Sequence, residues 1–194
     1  MQKAEKLNYH HGDLRAALLQ EGLRLLEERQ GDDIGLREVA RAVGVSATAV
    51  YRHFPDKAAL LRALATQGLD QLARAQQIAF DKAGGEKAGF AATGRAYVRF
   101  ALDNPALFRL VFSSSPEQRD DNGTKDKVPE AFRMLQENAA FMAPPGSSSD
   151  EIQVVALRAW AQVHGLAVLL LDGQIPRDER LIEVLIAPAG DCRL

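Results

Sequence analysis

Apolar residues recur at three- and four-residue intervals through most of the 194-residue chain, the spacing that gathers them on one face of an α-helix. Runs that alternate apolar and polar residues between turn signals are missing, so the pattern predicts an all-α fold. Leu14, Leu18, Leu19, Leu23 and Leu26 predict a first helix over 13–29, with Asp13 placed to accept from free N–H groups at its start. A short helix over 36–43 stops at Gly44, because glycine readily takes the left-handed conformation just past a helix end. Ser46 offers a hydroxyl cap to a third helix over 47–53, which has to finish near Phe54 because Pro55 follows. Asp56 then caps a long, proline-free helix over 57–82 that Gly84-Gly85 breaks. Further helices are predicted over 90–102, around Leu107, Phe108, Leu110, Val111 and Phe112, and over 129–142, 150–171 and 177–186. The polar segment 113–127 and the linker Pro144-Pro145-Gly146-Ser147-Ser148-Ser149 read as loops, which leaves about nine helices.

The stretch 150–171 is apolar nearly all round: Ile152, Val154, Val155, Leu157, Trp160, Val163, Leu166, Val168, Leu169 and Leu170 leave little polar face. Such a helix belongs inside a bundle or at an oligomer interface. The longest unbroken, strongly apolar run, 166–171, falls short of the roughly 18 to 20 residues that cross a bilayer, so no membrane span is expected. Residues 1–12 mix Lys3, Glu5, Lys6, Asn8, His10 and His11 and hold no apolar signal-peptide core. The single cysteine, Cys192, excludes an intrachain disulfide and a Cys-based zinc cluster, and fits a reducing, cytoplasmic compartment. His10 and His11 are adjacent and so point apart, with no third ligand at suitable spacing, which favours a structural or electrostatic role over metal binding. No cofactor is implied.

Composition adds one constraint. Hydrophobic residues are 46% and charged residues 26%, as in ordinary folded, soluble chains. Net charge is 24 − 26 = −2, and residues 1–58 carry nine Lys and Arg against nine Asp and Glu. Any nucleic-acid binding therefore has to rest on a local patch and not on a globally cationic surface.

Residues 36–54 supply such a patch. They have the shape of a helix-turn-helix: an eight-residue helix, a turn at Val43-Gly44-Val45, and a short helix opened by Ser46. Val39, Ala40 and Val43 are spaced to pack against Val50 and Phe54, leaving Ala47, Thr48, Ala49, Tyr51 and His53 toward the outside. Small residues at the start of a short helix let it enter the major groove and touch base edges and thymine methyls. Arg37, Arg41, Arg52 and Lys57 against Glu38 and Asp56 give a local balance of +2. By spacing alone, a DNA-reading pair and a purely structural helix pair both fit.

The wording of this segment decides between them. Leu36-Arg37-Glu38-Val39-Ala40, Val43-Gly44-Val45-Ser46, and Ala49-Val50-Tyr51-Arg52-His53-Phe54-Pro55-Asp56-Lys57 with Leu60-Leu61 resemble the tetracycline-repressor (TetR) family of bacterial transcription regulators. The Tyr-x-x-Phe-Pro-x-Lys run is the most specific part, and with the first helix the resemblance covers about residues 9–62. More weakly, Asn104-Pro105-Ala106-Leu107-Phe108-Arg109-Leu110-Val111-Phe112 and Trp160-Ala161-Gln162-Val163-His164-Gly165 resemble a subgroup with a Trp, His, Gly signature in its C-terminal domain.

The resemblance implies a three-helix DNA-binding domain over 1–55, joined by a long fourth helix to an effector-binding and dimerisation bundle over 56–194. It implies that Arg37, Ala47, Thr48 and Ala49 approach bases, that Tyr51, His53 and Lys57 contact the sugar-phosphate backbone, and that Ser46 opens the reading helix beside them. Gly35 stands where many members carry a Ser or Thr cap, which loosens the anchoring of Arg37. Lys3 and Lys6 fit either a groove-reaching arm or a solvated tail. Phe100, Phe108, Phe112, Trp160 and His164, with Phe132 and Phe141, are candidates for an effector pocket, although packing is the commoner fate of such residues. Gly165 in mid-helix costs about 1 kcal/mol relative to alanine, which suits a close helix approach.

The expected protein is a homodimeric, ligand-responsive repressor of a palindromic, double-stranded operator, released by a small-molecule effector through the fourth helix. An enzyme or carrier on a helical bundle is the opposing reading. No Gly-x-Ser-x-Gly elbow, phosphate-binding glycine loop, His-Glu-x-x-His or paired Glu-x-x-His motif supports it. A constitutive DNA-binding protein without an effector stays open.

Overall fold

The computed structural model describes residues 14–31, 34–113 and 130–187, and every regular element among them is an α-helix. In chain order they are α1 (Leu14–Glu28), α2 (Leu36–Val43), α3 (Ala47–Tyr51), α4 (Lys57–Lys82), α5 (Glu86–Asp103), α6 (Pro105–Ser113), α7 (Glu130–Ala139), α8 (Ser149–Leu171) and α9 (Glu179–Ile186). Asp13, Lys3, Lys6, His10, His11 and Cys192 lie outside the described residues.

Local chemistry sets the boundaries. Gly44 has φ +80°, and the N–H groups of Gly44 and Val45 close α2 on the carbonyls of Arg41 (3.2 Å) and Ala40 (2.9 Å). Helix α3 ends at Tyr51, two residues earlier than the pattern predicts. Pro55 has no N–H to bond the Tyr51 carbonyl and disfavours helical backbone at Phe54, so Arg52 and His53 form a turn tied to the Val50 carbonyl. Helix α6 starts at Pro105, ahead of the apolar run, because proline suits the first helical position. Helix α5 likewise starts four residues before the predicted Phe90, directly after the Gly84-Gly85 turn with its positive φ angles. Residues 140–142 form a turn where the predicted seventh helix was to continue. Helix α8 begins inside the serine run, at a capping box: Glu151 N–H donates to Ser148 Oγ at 3.3 Å while Ser148 N–H donates to Glu151 Oε2 at 2.7 Å.

One apolar core runs through the chain, from Leu18, Leu25 and Leu26 of α1 past Val39, Val50 and Phe54 to Leu60, Leu64 and Leu72 of α4 and Phe108 and Val111 of α6. A smaller one, Val98, Leu166, Leu170, Ile182 and Ile186, seats α9 on α5 and α8. Exposed ion pairs from Arg95 and Arg99 to Glu179 and Glu183, at 2.8 to 3.2 Å, run across the α5–α9 seam and add little to stability at that exposure. Helices α4 and α6 approach closely, and a Cβ on Gly68 would lie 2.8 Å from Leu107 Cδ1 and 2.8 Å from Val111 Cγ2.

Helix α8 has a different environment on each side. Ala156, Leu166, Ala167 and Leu170 are buried, whereas Val154 (45% exposed), Leu157 (42%) and Leu169 (45%) face outward. At 100° per residue, Ala161 and Gly165 fall in the middle of that outward stripe. Gly165 therefore admits no neighbouring helix among the described residues: none of them lies within 4 Å of where its Cβ would be. By length and composition α8 is also long and apolar enough to cross a membrane, which counting unbroken apolar runs did not foresee. In the fold it is a bundle helix, with one face in the core and Trp160 and His164 hydrogen-bonded to α5.

Gly68→Val should push α6 away from α4 and cost about 1–3 kcal/mol. A urea midpoint at or above that of the parent protein would show that the two helices do not meet this closely.

Candidate nucleic-acid interface and aromatic cluster

The helix-turn-helix is built on buried supports. Leu36, Val39 and Ala40 of α2, with Val50 and Phe54, are all buried in the main core, and Val43 packs against them, as the spacing predicts. Ser46 accepts from Ala49 N–H at 3.3 Å and Asp56 from Ala59 N–H at 2.7 Å, which fixes the starts of α3 and α4. The cap of α2, Gly35, has no side chain to give. An Arg29–Glu38 ion pair ties its first turn to the end of α1 instead, and Arg15 lies 5.4 Å over the Phe54 ring. Neither contact was foreseen from the sequence, since each joins segments whose proximity only the fold creates.

All the residues singled out for DNA binding fall on this unit. Arg37, Ser46, Thr48 and Tyr51 (44%) are exposed, and Ala47, Ala49, His53 and Lys57 are half-buried. Arg41 and Arg52 are exposed as well. Glu38 is paired with Arg29, which adds one cation to the count at this surface, and Asp56 caps α4.

A second constellation lies between α5, α6 and α8. Phe108, Phe112, Trp160 and His164 come together around Tyr97, a residue that the sequence pattern did not single out. Tyr97 packs edge-on against Phe108 at 5.6 Å, Phe108 and Phe112 lie 4.8 Å apart, and His164 sits 4.9 Å from Phe112. Phe132 of α7 closes over Trp160 at 5.8 Å. Phe100 is buried in the same core but takes no part in the ring pairs among the described residues. Phe141 lies elsewhere, on Phe80 at 6.1 Å, beside a shallow cleft of about 400 Å³ along the 83–88 turn.

Chemistry fixes the direction of one hydrogen bond in the cluster. Indole nitrogen only donates, so Trp160 Nε1–H gives to the Tyr97 hydroxyl oxygen at 3.3 Å. The Tyr97 hydroxyl also meets His164 Nδ1 at 2.8 Å, and it donates there in the tautomer of His164 that carries its proton on Nε2. Burial, partly offset by the Trp160 bond, raises the Tyr97 pKa and keeps the phenol protonated; burial also lowers the His164 pKa below its usual value and keeps the imidazole neutral.

A depressed histidine pKa means that the unfolded chain binds the proton first. Stability should accordingly fall as pH drops below about 6.5 toward the lowered folded value. Thermal midpoints measured from pH 8 to pH 5 should show this slope, and His164→Gln should flatten it; an unchanged slope in the variant would assign the effect elsewhere.

Two comparisons of the chain with known proteins agree with this geometry. Residues 18–64 match the family described as bacterial regulatory proteins, tetR family, and residues 90–188 match the tetracyclin repressor-like C-terminal domain. No curated protein sequence matches at a significant level. Among solved structures, a Rhodococcus sp. RHA1 protein of unknown function is 32% identical with a TM-score of 0.72, the match covering 93% of each chain. A TetR family transcription regulator from Marinobacter aquaeolei VT8 shares the fold at TM-score 0.63 and 19% identity, over 93% of this chain and 95% of that one. The flavonoid-responsive regulator FrrA does so at 0.51 and 20%, over 90% and 92%. With a helix-turn-helix at one end, a helical domain at the other and both matched by family profiles, the chain belongs to the TetR family of DNA-binding transcription regulators.

Proposed function

We propose that the protein is a homodimeric repressor that binds a palindromic operator and is released by a small-molecule effector. The observation that carries this reading is the cationic, solvent-facing surface of α2 and α3 on a rigid apolar support. Residues 1–55 bind DNA in this reading, and 56–194 bind effector and dimerise. Arg37, Ala47, Thr48 and Ala49 meet base edges, while Tyr51, His53 and Lys57 meet phosphates, with Ser46 at the helix mouth. Because the residues at 47 and 49 end in methyl groups, thymine methyl contact, Arg37 and DNA shape carry much of the specificity.

Val154, Leu157 and Leu169 on the outward stripe of α8 and Leu185 of α9 are large apolar side chains left exposed, which favours covering this side with a partner. A second copy is the partner that the family supplies, and Ala161 and Gly165 let two α8 helices approach closely. The Tyr97 cluster is the effector site in this reading, and Phe108 and Phe112 link it to α6. A flavonoid-responsive protein has the same fold, which supports small-molecule control of this architecture. The internal satisfaction of Tyr97 and His164 favours a second reading, a constitutive regulator whose cluster is only core. Operator binding that persists against a panel of aromatic compounds would favour it.

Selection from random duplex DNA should recover a palindrome. On that site, Tyr51→Ala should weaken binding about tenfold with little change in salt slope, Lys57→Ala should lower the salt slope by about 1 per protomer, and Arg37→Ala should relax preference at one position by about 1–3 kcal/mol. Equal binding to every sequence would sink the regulator reading. Leu157→Arg should leave helicity intact, sediment as a monomer and bind the operator at least about a hundredfold more weakly; a dimer of unchanged mass would place the interface elsewhere.

A further inference from the structure

Helix α6 begins directly where α5 ends, and the N–H groups of its first turn can be counted completely. Asn104 N–H bonds back to the Phe100 carbonyl at 3.0 Å, Pro105 has no N–H, and Phe108 N–H makes the first intrahelical bond, to the Asn104 carbonyl at 2.9 Å. That leaves Ala106 and Leu107. A helix usually satisfies such groups with the side chain of its own cap, but the Asn104 amide nitrogen is turned back onto the Phe100 carbonyl at 3.0 Å.

Both N–H groups go instead to Glu27 in the last turn of α1, some 80 residues away in sequence. Leu107 N–H donates to Oε1 at 2.8 Å and Ala106 N–H to Oε2 at 3.4 Å. The carboxylate caps a helix of the other domain, and its negative charge faces the positive end of the α6 dipole. Gly31, which closes α1 at φ +88°, brings that end of α1 against Ala106: a Cβ there would lie 3.8 Å from the Ala106 Cβ.

Each end of this contact leads to one of the two sites. Two residues beyond Glu27, Arg29 pairs with Glu38 of α2, the neighbour of Arg37. One residue beyond Leu107, α6 presents Phe108 and then Phe112 to Tyr97, His164 and Trp160. We propose that Glu27 is a coupling latch: by holding or releasing the first turn of α6, its carboxylate transmits the state of the Tyr97 cluster to the helix-turn-helix, and the reverse. This rests on the regulator reading above. Coupling between two binding sites is reciprocal, so operator binding must perturb the cluster as much as a cluster ligand perturbs operator binding.

Reciprocity makes the latch testable without an effector, because Trp160 is the only tryptophan in the chain and its indole N–H lies in the cluster. The full chain is titrated with the selected duplex, following labelled DNA by anisotropy and Trp160 by its emission. Glu27→Ala removes both acceptors, and Glu27→Gln keeps one; far-UV circular dichroism verifies that each variant is folded. Parent protein should change its Trp160 emission on binding. Glu27→Ala should bind the duplex with an emission change at least about threefold smaller, with Glu27→Gln between them. The amides of Ala106 and Leu107 should exchange at least about tenfold faster in Glu27→Ala. A full emission change in Glu27→Ala, no emission change in the bound parent protein, or unaltered exchange at those two amides would each overturn the latch. Failure of the parent protein to bind any duplex would instead remove the regulator reading, and the exchange measurement would then judge the Glu27 contact alone.

Discussion

The arrangement of the whole chain depends on the absence of a side chain at Gly68. Because nothing projects there, Leu107 and Val111 reach the backbone of α4, and α6 sits deeper in the bundle than any larger residue would permit. From that depth its first turn meets Glu27 of α1 and its aromatic face meets Tyr97 of α5 and His164 of α8. A nine-residue helix thereby touches elements from both ends of the chain. The long α4 passes between the helix-turn-helix and the bundle, but α6 is the element packed simultaneously on α1, α4 and the cluster.

Much of this was legible in the sequence where the signal is local. Gly44, Ser46, Asp56 and Gly84-Gly85 each act on the backbone within three or four residues, and each marks a helix boundary close to where it is predicted. Boundaries shifted where a neighbour's chemistry outweighed the apolar pattern. Pro55 shortens α3 by withholding a donor, and Ser148 and Asp178 set the starts of α8 and α9 through their own oxygens. The Tyr-x-x-Phe-Pro-x-Lys run gave away the DNA-binding unit because its Phe and its polar residues do separate jobs at fixed spacing, one in the core and the others near the surface.

The long-range contacts were not legible. Tyr97 carries no mark in the sequence that separates it from any other apolar position of α5, and only folding brings it to Trp160 and His164, 63 and 67 residues away. Glu27 reads as one of several acidic residues on a solvated helix, and its role depends on a partner N–H that a hydrogen-bond inventory of α6 reveals to be short of a cap. The outward face of α8 was hidden for the opposite reason. With apolar residues on every side, the pattern gives no direction, and the exposed stripe emerges only when the core has taken the other side.

The brevity of α3 limits how much the chain can discriminate. Five helical residues at about 1.5 Å each span roughly 7.5 Å, or about two base-pair steps of 3.4 Å, and Pro55 prevents the helix from growing. In the proposed operator complex, a reading head of that length distinguishes few sequences by itself. In the proposed homodimer, genomic selectivity would then come from arithmetic outside α3: a second head on the same rigid frame, an arginine on the neighbouring helix, and the stiffness of DNA that neither head touches. In that proposed dimer, the frame that sets the distance between the heads would govern which sites are found at least as strongly as the residues proposed to face the bases.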